Sequence, residues 1–191
     1  MNLPNKLTIL RICMIPLFVA VYFLEVIPYN FVISAAIFAL AAFTDFLDGY
    51  IARKNNLVTN LGKFLDPIAD KVLVSTALII MLVPVGSITV MPWYASLAVS
   101  IILGRELIVS GFRIVAASRN LVLAADKSGK IKTFVQDIAI IVLLVGVQIN
   151  PAIYSVTNII GLSLLGVATL LTIYSGIGYV VKNKAVLKEE K

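Results

Sequence analysis

Residues Phe31 to Arg53 read FVISAAIFALAAFTDFLDGYIAR. Nothing charged occurs before Asp45, and as a helix rising about 1.5 Å per residue the run is long enough to cross a hydrocarbon layer roughly 30 Å thick. Its last part is different, because Asp45, Asp48 and Arg53 follow one another within three turns. An aspartate inside a bilayer segment costs about 2.5–3.5 kcal/mol. A membrane-crossing helix with acids at one end therefore demands a chemical reason for them.

Runs of similar apolarity recur along the chain. Of 191 residues, 60% are hydrophobic and 14% charged, with a mean hydropathy of +1.02, well outside the range of soluble domains. Hydropathy predicts helices over about 7–28, 31–53, 63–84, 91–117, 131–149 and 155–181. Pro28 with Asn30, Pro84 with Gly86 and Pro92, and Asn150 with Pro151 mark turns between them, and Pro16 falls inside the first. The expected fold is an all-α polytopic membrane protein, a single domain over residues 1–191 with six transmembrane helices. No small-residue cleavage site follows the first apolar run near Glu25, so this run reads as a retained helix rather than a secretory signal.

The basic residues alternate between the connections. Lys6 and Arg11 stand near the start; Arg53, Lys54 and Lys63 surround the second connection; Arg113, Arg119, Lys127, Lys130 and Lys132 surround the fourth; Lys182, Lys184, Lys188 and Lys191 fill the tail. The other connections hold no Lys or Arg. By the positive-inside rule both termini and the even-numbered connections are expected on the cytoplasmic side of the cell membrane. The net charge of +6 follows from this bias, and no basic stripe interleaved with aromatics points to nucleic acid.

The chain has no histidine and one cysteine, Cys13. Histidine-ligated metals, Ser-His and Cys-His nucleophile systems and an internal disulfide are thereby excluded. Carboxylates, lysines and arginines must carry the chemistry. Asp45 and Asp48 close the second predicted helix, while Asp66 and Asp70 open the third, directly across a basic connection. Separations of three and four residues put each pair on one helix face. Four negative charges in a low-dielectric pocket repel one another, whereas two divalent cations would neutralise them, and an all-oxygen ligand set favours Mg²⁺ or Mn²⁺. Gly49, Ala52 and Gly62 lie one turn from these aspartates and leave room beside them for a ligand, with Arg53 and Thr59 nearby to meet a phosphate. The structural alternative is a set of salt bridges to Arg53, Lys54, Lys63 and Lys71.

The stretch Asp45–Asp70 reads D-F-L-D-G-Y-I-A-R, eight residues, then G-K-F-L-D-P-I-A-D. It resembles the signature of the CDP-alcohol phosphotransferases, D-x2-D-G-x2-A-R-x8-G-x3-D-x3-D, at all eight fixed positions. The resemblance implies a six-helix membrane enzyme, often homodimeric, that transfers a phosphatidyl or related group from a CDP-linked donor to an alcohol and releases CMP. It further implies that Asp45, Asp48, Asp66 and Asp70 hold two divalent metal ions, that Asp70 is also the general base, and that Gly49, Arg53 and Thr59 contact the CDP moiety. Metal coordination weakens an aspartate as a base, a tension that close positioning must offset.

Two further stretches, Pro4–Arg11 and Arg105–Arg113 followed by Ser128–Thr133, are similar to those of the phosphatidylglycerophosphate synthases within that family. This similarity implies CDP-diacylglycerol as donor and glycerol 3-phosphate as acceptor. Arg105, Arg113, Lys130 and Lys132 are then candidates for the acceptor phosphate, against the alternative that they are orientation charges. Asn5 and Thr8 either serve the donor nucleotide or cap the first helix. Glu106 and Asp137 are candidate partners for the basic residues. Rival readings are a cardiolipin synthase, an inositol-phosphate or serine phosphotransferase, an intramembrane aspartyl protease, and, from another class, a cation-coupled transporter. Four acids fit a protease dyad poorly, and their place near a helix end argues against a midmembrane ion site.

Overall fold

A computed structural model describes residues 2–54, 60–118, 127–149 and 151–183. Six helices run through them: α1 Leu3–Phe23, α2 Asn30–Lys54, α3 Asn60–Ile80, α4 Ala95–Ser118, α5 Lys127–Ile149 and α6 Pro151–Lys182. The expected number of helices is present, with shifted ends. Helices α5 and α6 each start about a turn earlier than hydropathy predicts, α5 because its polar first turn Lys127–Lys130 is invisible to an apolar window, α6 because Pro151 opens the helix rather than preceding it. Helix α1 ends at Phe23, and Asn30 Nδ2 donates back to the Tyr22 carbonyl at 2.8 Å across the turn into α2.

Five of the helices, all but α3, are long and apolar enough to cross a membrane. Helix α3 carries Lys63, Asp66, Asp70 and Lys71 in its first part, which lowers its apolarity although its length matches α1. The outer surface is apolar: Leu97, Leu107, Ile114, Leu170 and Ile177 all stand exposed. Such a girdle would aggregate in water but is solvated by acyl chains. The architecture is that of a polytopic helical membrane protein.

Helix contacts follow a ring, from α1 to α2, α5, α6, α4 and α3 and back to α1. Phe18, Phe38, Leu73, Met81, Ile102 and Leu144 fill its interior. Lipid chains are as apolar as leucine, so burial alone holds such helices weakly and close packing matters more. At the α5–α6 contact a side chain on Gly161 would meet Leu143 Cγ at 2.5 Å, and one on Gly146 would strike Thr157. The connection after α3 turns tightly at Gly86, whose φ of 56° is one that residues with side chains rarely adopt, and the Glu25 carboxylate lies against it. The α1–α2 and α3–α4 connections thus meet at one end of the bundle.

Gly161→Ala is expected to destabilise the bundle by about 1–3 kcal/mol, because Leu143 must be displaced. Gly166→Ala, with nothing within 4 Å of the added carbon, is expected to be neutral or slightly stabilising. Thermal unfolding of the two variants in detergent checks the contrast.

Candidate active site

At the opposite end of the bundle the polar residues come together. Thr8 and Arg11 lie three residues apart on α1 and share one of its faces, turned towards the end of α2 and the start of α3. Arg11 is fully buried. Its Nη2 donates to Asp48 Oδ2 at 2.5 Å, its Nη1 forms an ion pair with Asp45 Oδ1 at 2.7 Å, and its Nε donates to the Ala41 carbonyl at 3.3 Å. Thr8 Oγ1 donates to Asp66 Oδ1 at 2.7 Å. Asp48 is buried with the arginine, whereas Asp45 is 42% exposed. One cationic helix face therefore gathers three of the four predicted aspartates.

Among the described residues no group of three acidic side chains stands close enough together to ligate one ion. The physical reason lies in their present partners: Asp45 and Asp48 close on the Arg11 guanidinium, and Asp66 accepts from Thr8. The donor set nevertheless fits a hard divalent cation, being all oxygen, drawn from two helices and already organised around a positive group. Arg11 supplies one charge against several, so the cluster has capacity for more.

A second polar node is centred on Glu106 of α4. Its Oε1 accepts from Arg105 Nη1 at 2.8 Å and from Lys132 Nζ of α5 at 2.9 Å, while Lys71 Nζ of α3 stands 3.9 Å from Oε2. Lys71 also donates to Ser110 Oγ, which in turn donates a hydrogen bond to the Glu106 backbone carbonyl at 2.5 Å. Arg105 Nη2 reaches Ser175 Oγ of α6 at 3.2 Å, and Gly176 leaves room for the arginine stem, since a side chain there would meet Arg105 Cγ at 2.9 Å. Cations of three helices meet on one carboxylate, and Arg105 links it to a fourth helix.

Asp70 joins the two nodes. Asp45 and Arg11 act on it electrostatically from one side, Glu106 and Lys132 from the other. Together with Lys71, Glu106, Lys132 and Gln136 it lines a small cavity between α3, α4 and α5, about 30 Å³ in volume. That is room for one or two water molecules. Asp137 of α5 lies within the field of Asp70, Asp45 and Lys132, and its Oδ1 is buried without a hydrogen-bond partner among the described residues.

Of the residues predicted for the acceptor, Arg105 and Lys132 thus meet, whereas the other two point elsewhere. Arg113 lies over the Tyr179 ring at 5.9 Å, and Lys130 is exposed. Of those predicted for the donor, Asn5 and Thr8 are buried on α1, Gly49 is half-buried and Gly62 is buried. The N-cap of α1 is Asn2, with no side-chain cap, so helix capping does not explain Asn5 or Thr8. Thr59 lies outside the described residues, as do the side chains of Ala52 and Arg53. The contributions that sequence reasoning missed are Arg11 and Lys71. Arg11 had a signal, since a lone arginine in an apolar run one turn after Thr8 needs a buried anion. Lys71 was read only as a structural salt-bridge partner of the aspartates, whereas it stands beside Glu106.

Arg11→Ala would leave Asp48 buried without its cation, and loss of one partner of a buried pair costs about 3–5 kcal/mol. Unfolding of this variant in detergent should show that loss, with much of it recovered in Arg11→Ala/Asp48→Asn. A double variant no more stable than the single one would show that Arg11 acts elsewhere.

Comparison with known proteins gives the family. Residues 1–177 match the CDP-alcohol phosphatidyltransferase family. The chain is 42% identical to a CDP-diacylglycerol–glycerol-3-phosphate 3-phosphatidyltransferase of Bacillus subtilis, over 98% of this chain and 97% of the relative. Enzymes of the same name from Rickettsia bellii and Shigella flexneri are 41% and 35% identical, over 93% and 99% of this chain and 93% and 98% of theirs. With the paired aspartates of α2 and α3 at one bundle end and a match over nearly its whole length, the chain belongs to the CDP-alcohol phosphatidyltransferase family.

Proposed function

We propose that this protein transfers the phosphatidyl group of CDP-diacylglycerol to glycerol 3-phosphate, yielding phosphatidylglycerophosphate and CMP. The observation that carries the reading is the position of Asp70, in one cavity with Lys71 and Lys132 and within the field of the acidic node. A phosphorylated alcohol needs this combination, with cations for its phosphate and a base beside its hydroxyl. The names of the relatives supply the donor and the acceptor.

In the reaction the acceptor hydroxyl attacks the phosphorus that bears the diacylglycerol, and the bond from that phosphorus to the bridging oxygen breaks. CMP departs with the bonding electrons. Asp70 takes the hydroxyl proton, a role that proximity favours over intrinsic basicity. Lys132, Arg105 and Lys71 hold the acceptor's phosphate, kept in place beforehand by Glu106. Arg11 fixes the orientation of Asp45 and Asp48, and Thr8 that of Asp66. Asp45, Asp48, Asp66 and Asp70 would bind two Mg²⁺ or Mn²⁺ ions, which supply charge neutralisation for the pyrophosphate and the leaving group.

The same reading puts this bundle end at the cytoplasmic face of the cell membrane. The reasons are the lysines and arginines of the even-numbered connections and the water-soluble acceptor. Helix α3, flanked by α1 and α4, completes six spans, with its Asp66, Asp70 and Lys71 turned to the polar nodes rather than to lipid. A homodimer, which the family resemblance implies, is the expected assembly.

Purified protein is to be supplied with CDP-diacylglycerol, Mg²⁺ or Mn²⁺, and in separate reactions glycerol 3-phosphate, phosphatidylglycerol, inositol phosphate or serine. CMP release is expected with glycerol 3-phosphate, stopping on chelation and returning with added metal. Release with none of the acceptors overturns the enzyme reading, and release with another acceptor alone overturns the choice of substrate. Asp70→Asn is expected to lower turnover by a factor of about 10²–10⁴ in a protein that stays folded.

A further inference from the structure

Gln136 of α5 has no part in the reaction as derived so far. It is 1% exposed, its amide oxygen finds no hydrogen-bond partner among the described residues, and it lines the same cavity as Asp70 and Lys132. Lys132, one turn earlier on the same helix face, gives its ammonium to Glu106 and leaves that oxygen unsatisfied. Thr133, also in the cavity wall, donates to the Gly129 carbonyl of its own helix. A buried acceptor without a donor is costly, and buried polar groups are nearly always paired. The position is one where a small apolar residue would complete the packing without that cost. The amide oxygen is therefore suited to a hydroxyl that arrives with a ligand.

On the reading that glycerol 3-phosphate is the acceptor, the ligand carries two neighbouring hydroxyls, one of which attacks. We infer that Gln136 accepts a hydrogen bond from the other, the hydroxyl on the middle carbon, and so selects a vicinal diol phosphate. The cavity holds the three groups this requires. Asp70 meets the attacking hydroxyl, Gln136 meets its neighbour, and Lys71 and Lys132 stand on the phosphate side. A site built to pair a substrate hydroxyl discriminates against the analogue lacking it, because the protein group is then left bare.

The test compares glycerol 3-phosphate with 3-hydroxypropyl phosphate, which keeps the terminal hydroxyl and the phosphate but lacks the middle hydroxyl. Values of kcat/KM come from CMP release by wild-type protein and by Gln136→Met. Wild type is expected to prefer glycerol 3-phosphate by about tenfold, the order of one hydrogen bond. Gln136→Met should lose that preference, with its decrease confined to glycerol 3-phosphate. A merely structural role would lower both substrates alike and leave the ratio unchanged, which overturns the inference. Equal use of the two acceptors by wild type also overturns it while leaving the proposed function intact. No turnover of glycerol 3-phosphate by wild type removes the proposed function and this inference together. Should Gln136→Met fail to fold, Gln136→Asn, which retracts the amide by one methylene, is expected to reduce the ratio, and an unchanged ratio there counts against Gln136.

Discussion

The buried guanidinium of Arg11 is the constraint on which the arrangement of the first three helices depends. A charge withdrawn from water is tolerated only when its partners are close and well directed. Arg11 finds Asp45, Asp48 and the Ala41 carbonyl along two successive turns of α2. Because acyl chains compete on equal terms with leucine, apolar contact cannot choose among registers of α1 along α2, whereas the charge pairing can. Thr8, one turn away, extends the same selection to α3 through Asp66. Asp45, Asp48 and Asp66 are thus held by the interactions that align the helices.

Glu106 repeats this logic with the signs reversed. One carboxylate gathers cations from α3, α4 and α5, and Arg105 carries the connection on to α6 through Ser175. The two nodes are oppositely charged and adjacent, and Asp70 is the residue on which both act. Helix α3 packs broadly on α1 but only lightly on α4 and α5. The opening between these helices is where the polar cavity lies. Light packing at that point is what leaves the cavity open.

Much of this was legible in the sequence for identifiable reasons. Long apolar runs and the turns between them mark helices in any bilayer, and aspartates three and four residues apart must share a face. The signature from Asp45 to Asp70 pointed to the family that the whole-chain match then established. Helix ends were less legible, because the polar turn at Lys127 and the proline that opens α6 both belong to helices although an apolar window excludes the one and a turn signal marks the other. Arg113 and Lys130 look equivalent to Arg105 and Lys132 as charges in a list, yet only the latter pair meets Glu106.

By itself the sequence determined the helical class, the membrane as solvent, the family and the shared helix faces of the paired aspartates, since each rests on local spacing or composition. Only the tertiary structure decided which cations meet which acids. Arg11 and Asp48 are 37 residues apart, Lys132 and Glu106 are 26, and Arg105 and Ser175 are 70. Local periodicity carries no information over such separations. The pairings follow from how the ring of helices closes, and in a low-dielectric interior each buried charge must then settle on the partner that the closure brings within reach.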